Sequence, residues 1–186
     1  MDLLFDPVVV WSARLLLASM FAIAAFAKVR ALDEFTGVLQ NYHILPQKLV
    51  RPVAVATPPL ELLVALGLLF ELTRRIAAAA AASLLLGFSL AMAINLVRGR
   101  TQIDCGCFVG VLRQHISWGL VTRNAALIIL ALLSLPDDLT ARQWHWLDII
   151  TAGTGTTGAI LLYLAYTHLQ GMMSPWSDGG EETARW

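Results

Sequence analysis

The sequence predicts an all-α integral membrane protein with five transmembrane helices, the fifth of them C-terminal, and an interfacial amphipathic helix between spans 1 and 2. Three observations carry that prediction. Hydrophobic residues make up 58% of the 186 and charged residues only 14%, against roughly 45–50% and 25% in soluble domains. Mean hydropathy is +0.68, too apolar for one soluble core. Five apolar stretches approach the roughly 20 helical residues that cross about 30 Å of hydrocarbon, and none alternates as barrel strands do. Thirteen basic residues balance thirteen acidic ones, so nothing favours nucleic acid. Two cysteines are too few for a disulfide-stapled miniprotein.

The N-terminus carries Asp2 and Asp6 where a secretory signal carries Lys or Arg, so residues 8–27 are read as a retained first span. In the connection 28–52, Phe35, Val38, Leu39 and Tyr42 recur at i, i+3, i+4 and i+7, the period of an amphipathic helix. That helix is expected to lie on one membrane face and to stop before Pro46; a solvated loop is the alternative. Spans 2 to 5 follow at 53–70, 76–97, 118–135 and 147–167. Residues 1–170 thus form one transmembrane domain and 171–186 a polar tail. Trp11, Trp118, Trp144, Trp146, Tyr163 and Tyr166 near the span ends read as interfacial belts. Gly153, Gly155 and Gly158 give span 5 a small-residue face, suited to internal packing or to a membrane partner.

Parity puts the connections 28–52 and 98–117 on one side with the tail. That side carries Lys28, Arg30, Lys48, Arg51, Arg98, Arg100, Arg113 and Arg185; the other carries Arg74, Arg75 and Arg142. By the positive-inside rule the richer side is cytoplasmic.

Both cysteines fall on that side, in Ile103-Asp104-Cys105-Gly106-Cys107-Phe108. A Cys-Gly-Cys disulfide closes a small, strained ring, and strain makes a disulfide more readily reduced. Gly106 opens unusual φ and ψ values to the turn. The pair reads as an exchange site more than a structural staple; two idle thiols at an interface is the bland alternative. Two soft thiolates also suit Cu(I), but no His or third Cys is adjacent, and no metal is assigned. His43, His115, His145 and His168 show no ligand spacing.

Lys28, Asn95, Asp104, Arg123 and Asn124 gather at the same ends of their spans. Glu61 lies about 12 Å into span 2 if that helix starts at Val53. An acid there needs a partner, and Lys28 and Arg123 are the candidates. Thr57-Pro58-Pro59 either kinks span 2 or begins its regular helix. In the second case Glu61 occupies a first turn, where the helix dipole favours negative charge. Together these residues suggest a polar pocket opening beside the thiols.

The order Arg14…Phe21…Lys28…Phe35…Tyr42…Leu45-Pro46, Pro59-Leu60-Glu61, Asp104-Cys105-Gly106-Cys107-Phe108 and Ser117-Trp118…Arg123-Asn124 resembles the MauE family. This is a family of methylamine-utilisation membrane proteins, related in pattern to DoxX-like proteins, and the resemblance covers residues 10–135. It implies a four-helix core similar to that of vitamin K epoxide reductase-like proteins, in the bacterial inner (cytoplasmic) membrane. It implies a part in maturing the disulfide-rich small subunit of methylamine dehydrogenase in the periplasm. Cys105 and Cys107 match the family's pair, on the outer face. Lys28, Glu61, Asp104, Arg123 and Asn124 match recurrent positions. A thioredoxin-like periplasmic protein or the immature client would be the partner.

The chain departs from the pattern where Val109 intervenes before Gly110. It also lacks the Cys-x-x-Cys pair and loop cysteines through which enzyme relatives relay electrons. No cofactor is assigned, and a quinone is the one left open. The outer placement opposes the charge count, but disulfide formation needs an oxidising side. Thiol–disulfide exchange is thus the leading expectation. A non-catalytic docking subunit of an oxidoreductase complex is the alternative. A small transporter organised around Glu61 is the third, and no inverted repeat supports it.

Overall fold

Long runs of Leu, Ala and Val leave this chain little choice but helix, because lipid offers no partners to open backbone groups. A computed structural model describes residues 7–107 and 115–135, with 150, 153–158, 160–162 and 165. The described residues are all-helical in architecture: α1 (Pro7–Arg30), α2 (Leu32–Asn41), α3 (Gln47–Leu69), α4 (Arg74–Val97) and α5 (Trp118–Leu133). Helices α1, α3 and α4 are each long and apolar enough to cross a membrane, and α5 is apolar but shorter. Phe26, Leu63, Phe70 and Ile76 stand largely exposed on the outside, as the lipid-facing side chains of a multi-pass membrane protein do.

Helix α1 packs chiefly on α3, α4 on α5, and α3 on α4, while α1 also touches α5. A side chain at Gly67 would bring its Cβ within 2.9 Å of the Ala77 Cβ, so α3 and α4 approach closely only because that position is glycine. About half of predicted span 5 lies outside the described residues, with Trp144, Trp146, Tyr163, Tyr166, Arg113, Arg142, Arg185, His145, His168 and the tail. What is described of it touches α1: the Thr156 hydroxyl donates to the Ser12 carbonyl at 3.4 Å.

Span 2 starts earlier than the sequence suggested. Pro46, with φ −57° and ψ 140°, caps α3, and Pro52, Pro58 and Pro59 lie inside the helix. Each proline removes one backbone donor, leaving the Lys48, Ala54 and Val55 carbonyls without their helical partners, yet α3 continues through all three. Glu61 consequently sits roughly 20 Å along α3, at 1.5 Å per residue. The first-turn reading of Glu61 is therefore overturned, and the N-terminal dipole does not account for its charge.

Helix α2 is amphipathic as its periodicity requires, but its stripe turns into the protein. Phe35, Val38 and Tyr42 are buried, while Asp33 and Glu34 are exposed. Phe35 packs with Ala54 of α3. Val38 and Tyr42 pack on the cysteine segment.

Candidate functional site

Two residues past the end of α4, Gly99 turns the chain (φ +74°), which then runs irregularly toward the cysteines. An antiparallel bridge between Asp104 and His115 steadies this segment, with the Ile116 N–H donating to the Ile103 carbonyl at 2.9 Å. Gly106 has φ +76°, and a Cβ there would meet Val38 Cγ1 at 3.0 Å. Both the backbone and the close contact with α2 require glycine. The Tyr42 hydroxyl donates to the Cys105 carbonyl at 3.1 Å. Burial, then the neighbouring cysteines, push the Tyr42 phenol well above its ordinary range, so it stays a donor. Helix α2 thereby holds the cysteine turn in place.

Cys105 and Cys107 are free thiols with sulfurs 2.9 Å apart, Cys105 donating. Their surroundings differ. Cys105 is buried with Tyr42, Met92, Ile116 and Leu120, its sulfur 3.7 Å from Met92 Sδ. Cys107 is half-buried, and Arg123 Nη2 lies 4.0 Å from its sulfur. The hydrogen bond it gives to Cys107, followed by burial, pushes the Cys105 thiol well up. Accepting that bond, with the charges of Arg123 and Lys28 nearby, brings Cys107 down to about 6 against the opposing effect of burial. An ordinary thiol titrates near 8.5. One proton thus sits on Cys105 and shields a thiolate on Cys107.

Behind Cys107 the Lys28 ammonium donates to both Glu61 oxygens, at 2.7 and 3.0 Å, and to the Cys107 carbonyl at 3.3 Å. Lysine and glutamate are 1% and 3% exposed, a fully desolvated ion pair. The rings of Phe35 and Phe88 stand 5.3 and 5.5 Å from the ammonium, within cation–π range. Of the two candidate partners for Glu61, Lys28 makes the contact. Arg123 instead donates to Asn124 Oδ1 at 3.1 Å.

A cavity of about 40 Å³ is lined at its polar end by Lys28, Glu61, Cys107, Arg123 and Asn124, and elsewhere by apolar side chains of α1, α4 and α5. It has room for two or three waters. Among the described residues the buried Asn124 Nδ2 has no acceptor, which suits a water or ligand oxygen there. Lys28 of α1, Glu61 of α3 and Arg123 and Asn124 of α5 thus meet around this cavity beside the cysteine turn.

Two expected members stand apart. Asn95 is fully buried, but its amide donates within α4 to the Ala91 carbonyl at 3.0 Å, and it does not line the cavity. Asp104 is half-exposed, 3.9 Å from His115 Nδ1. The sequence gives Tyr42 a place only in the amphipathic stripe and the family pattern, and Met92 and Phe88 look like ordinary apolar-face residues. Arg14 stands in the family pattern without a role, although a charge inside an apolar span signals one.

The family profile described as methylamine utilisation protein MauE matches residues 6–136, which takes in all five helices and both cysteines. The chain belongs to the MauE family. It is 44% identical to the methylamine utilization protein MauE of Paracoccus denitrificans over 174 residues, 92% of each chain. It is 46% identical to that of Methylorubrum extorquens over 131 residues, 70% of each chain. With the MauE of Methylophilus methylotrophus it shares 40% identity over 163 residues, 87% of this chain and 84% of the relative. No solved structure matches the chain. The MauE match contains every residue that lines the polar end of the cavity.

Proposed function

We propose that this MauE-family protein is an inner-membrane thiol–disulfide exchange protein serving methylamine utilisation, with Cys105 and Cys107 at the outer face. The observation that carries this reading is the inequality of the two thiols: paired sulfurs 2.9 Å apart, one shielded and protonated, the other facing cations. Cys107 as thiolate attacks one sulfur of a partner disulfide, expelling the partner's other sulfur as a thiolate that takes up a proton. Cys105 then gives up its proton and attacks the Cys107 sulfur. The mixed disulfide breaks, the Cys105–Cys107 disulfide forms, and two electrons have passed to the partner. Run in reverse, the same steps oxidise a client dithiol. The partner is a thioredoxin-like periplasmic protein or a disulfide-rich client such as an amine dehydrogenase small subunit.

Disulfide exchange with a periplasmic partner needs the oxidising side of the membrane, and the outer placement rests on that need, against the basic count of the connections.

Cys105→Ser should trap the mixed disulfide, visible as a partner adduct on non-reducing gels, and Cys107→Ser should form none. In intact cells a membrane-impermeant alkylating reagent should label the pair only after mild reduction. Client disulfide formation unaffected by loss of both thiols would overturn exchange and leave the docking-subunit reading. Labelling only in permeabilised, unreduced cells would reverse the orientation.

A further inference from the structure

Among the described residues no three His, Cys, Asp or Glu side chains gather into a metal site. The third donor beside the cysteines is instead a thioether. Met92, from α4, is 1% exposed, and its Sδ lies 3.7 Å from Cys105 Sγ, which itself lies 2.9 Å from Cys107 Sγ. We propose that Cys105, Cys107 and Met92 form a three-sulfur binding site for Cu(I).

Donor chemistry is the first argument. Thiolate and thioether sulfurs are soft ligands that select Cu(I) over the harder divalent ions. Spacing is the second. Metal–thiolate bonds of about 2.3 Å hold three trigonal sulfurs roughly 4 Å apart. The Met92–Cys105 distance is already close to that. The cysteine sulfurs must part by about 1 Å, and Gly106, with its left-handed φ, is the point between them where the backbone turns most freely.

Charge is the third argument. Two thiolates and one Cu(I) leave a single negative charge, faced by Arg123 at 4.0 Å from the Cys107 sulfur and by Lys28 on its carbonyl. Buried Val38, Ile116 and Leu120 belong to the same apolar cluster as Cys105 and Met92, giving the dry surroundings that favour the monovalent ion. Binding releases a proton from each thiol still protonated, and no electron moves. Bound metal and a Cys105–Cys107 disulfide exclude one another, so Cu(I) would hold the pair reduced.

The test uses the reduced, full-length protein in detergent under anaerobic conditions, titrated with Cu(I) against a chromophoric Cu(I) chelator. One Cu(I) per chain should transfer from the chelator, and X-ray absorption should show three sulfur neighbours. Met92→Leu, which conserves volume and normally costs little stability, should drop the count to two sulfurs. It should weaken affinity at least about tenfold, the scale seen for loss of even an outer-shell partner. Failure to take Cu(I) from the chelator would overturn the site. So would equal affinity in wild type and Met92→Leu, which would mean the cysteine pair alone captures the metal. Neither result bears on the exchange reaction, which the Cys105→Ser trap tests separately.

Discussion

Two buried charge clusters occupy opposite ends of α1, and they differ in how their charges are met. At the N-terminal end, Arg14 donates to Glu71 at 2.8 Å and to the Leu68 carbonyl at 2.9 Å, with its guanidinium 4.0 Å from the Trp11 ring. Arg74 reaches the same carboxylate at 2.6 Å and the Ser134 carbonyl at 3.1 Å. Glu71 is 51% exposed. The two arginines tie the C-terminal ends of α3 and α5 to their neighbours, satisfying carbonyls that a helix end leaves open. Water reaches the shared acid, so the cluster works as a structural clamp.

At the other end, Lys28 and Glu61 are both desolvated, and neither caps a helix. Their surplus contact is the Cys107 carbonyl, and they share a cavity with its thiol. A buried pair of this kind is seldom more stable than packed apolar side chains. Its position beside the Cys107 thiol fits an electrostatic task better than a structural one.

That contrast can be broken by mutation. The largest effect is expected from Lys28→Met, which strands Glu61 and should cost about 3–5 kcal/mol, read as thermal unfolding in detergent. Replacing both partners, Lys28→Met with Glu61→Met, should restore stability to wild type or better yet leave exchange with a small disulfide slower. If the double variant is as unstable as the single one, the pair is structural after all.

Next comes the titration of Cys107. Alkylation of the reduced protein should be half-maximal near pH 6, the rate falling as pH drops through that value because the thiolate is protonated. Lys28→Met removes a neighbouring cation and should raise that midpoint by about one unit, and Glu61→Gln should lower it by a similar amount. A purely structural pair would move both in the same direction. The smallest effect is expected at the clamp. Glu71→Gln keeps a water-accessible acceptor, and the two guanidiniums keep the Leu68 and Ser134 carbonyls, so the change should cost about 1–2 kcal/mol, less than stranding Glu61. A larger loss would mean the two clusters are not different in kind.

Much of this was legible in the residues. The period of Phe35, Val38 and Tyr42 showed an amphipathic α2, but periodicity cannot say which surface a stripe meets, and here it meets α3 and the cysteine turn. Lys28 and Glu61 were visible as intramembrane charges with one pairing among two. The α3 start was misjudged because Pro52, Pro58 and Pro59 look like helix breakers, whereas α3 carries all three within its length. Asn95 was grouped with the pocket from its position along α4, yet its rotation about the helix axis sends it elsewhere.

By itself, then, the sequence determined the class of the protein, the apolar helices, and the juxtaposition of two thiols around a glycine. These follow from local chemistry: the cost of unpaired backbone in lipid and the short reach of a three-residue turn. That Cys107 faces Lys28, Arg123 and the cavity while Cys105 faces Met92 and Tyr42 emerges from the helix packing alone. Those partners lie on four different helices, and the azimuth and register at which helices pack depend on side-chain fit along their whole length, which no local pattern encodes.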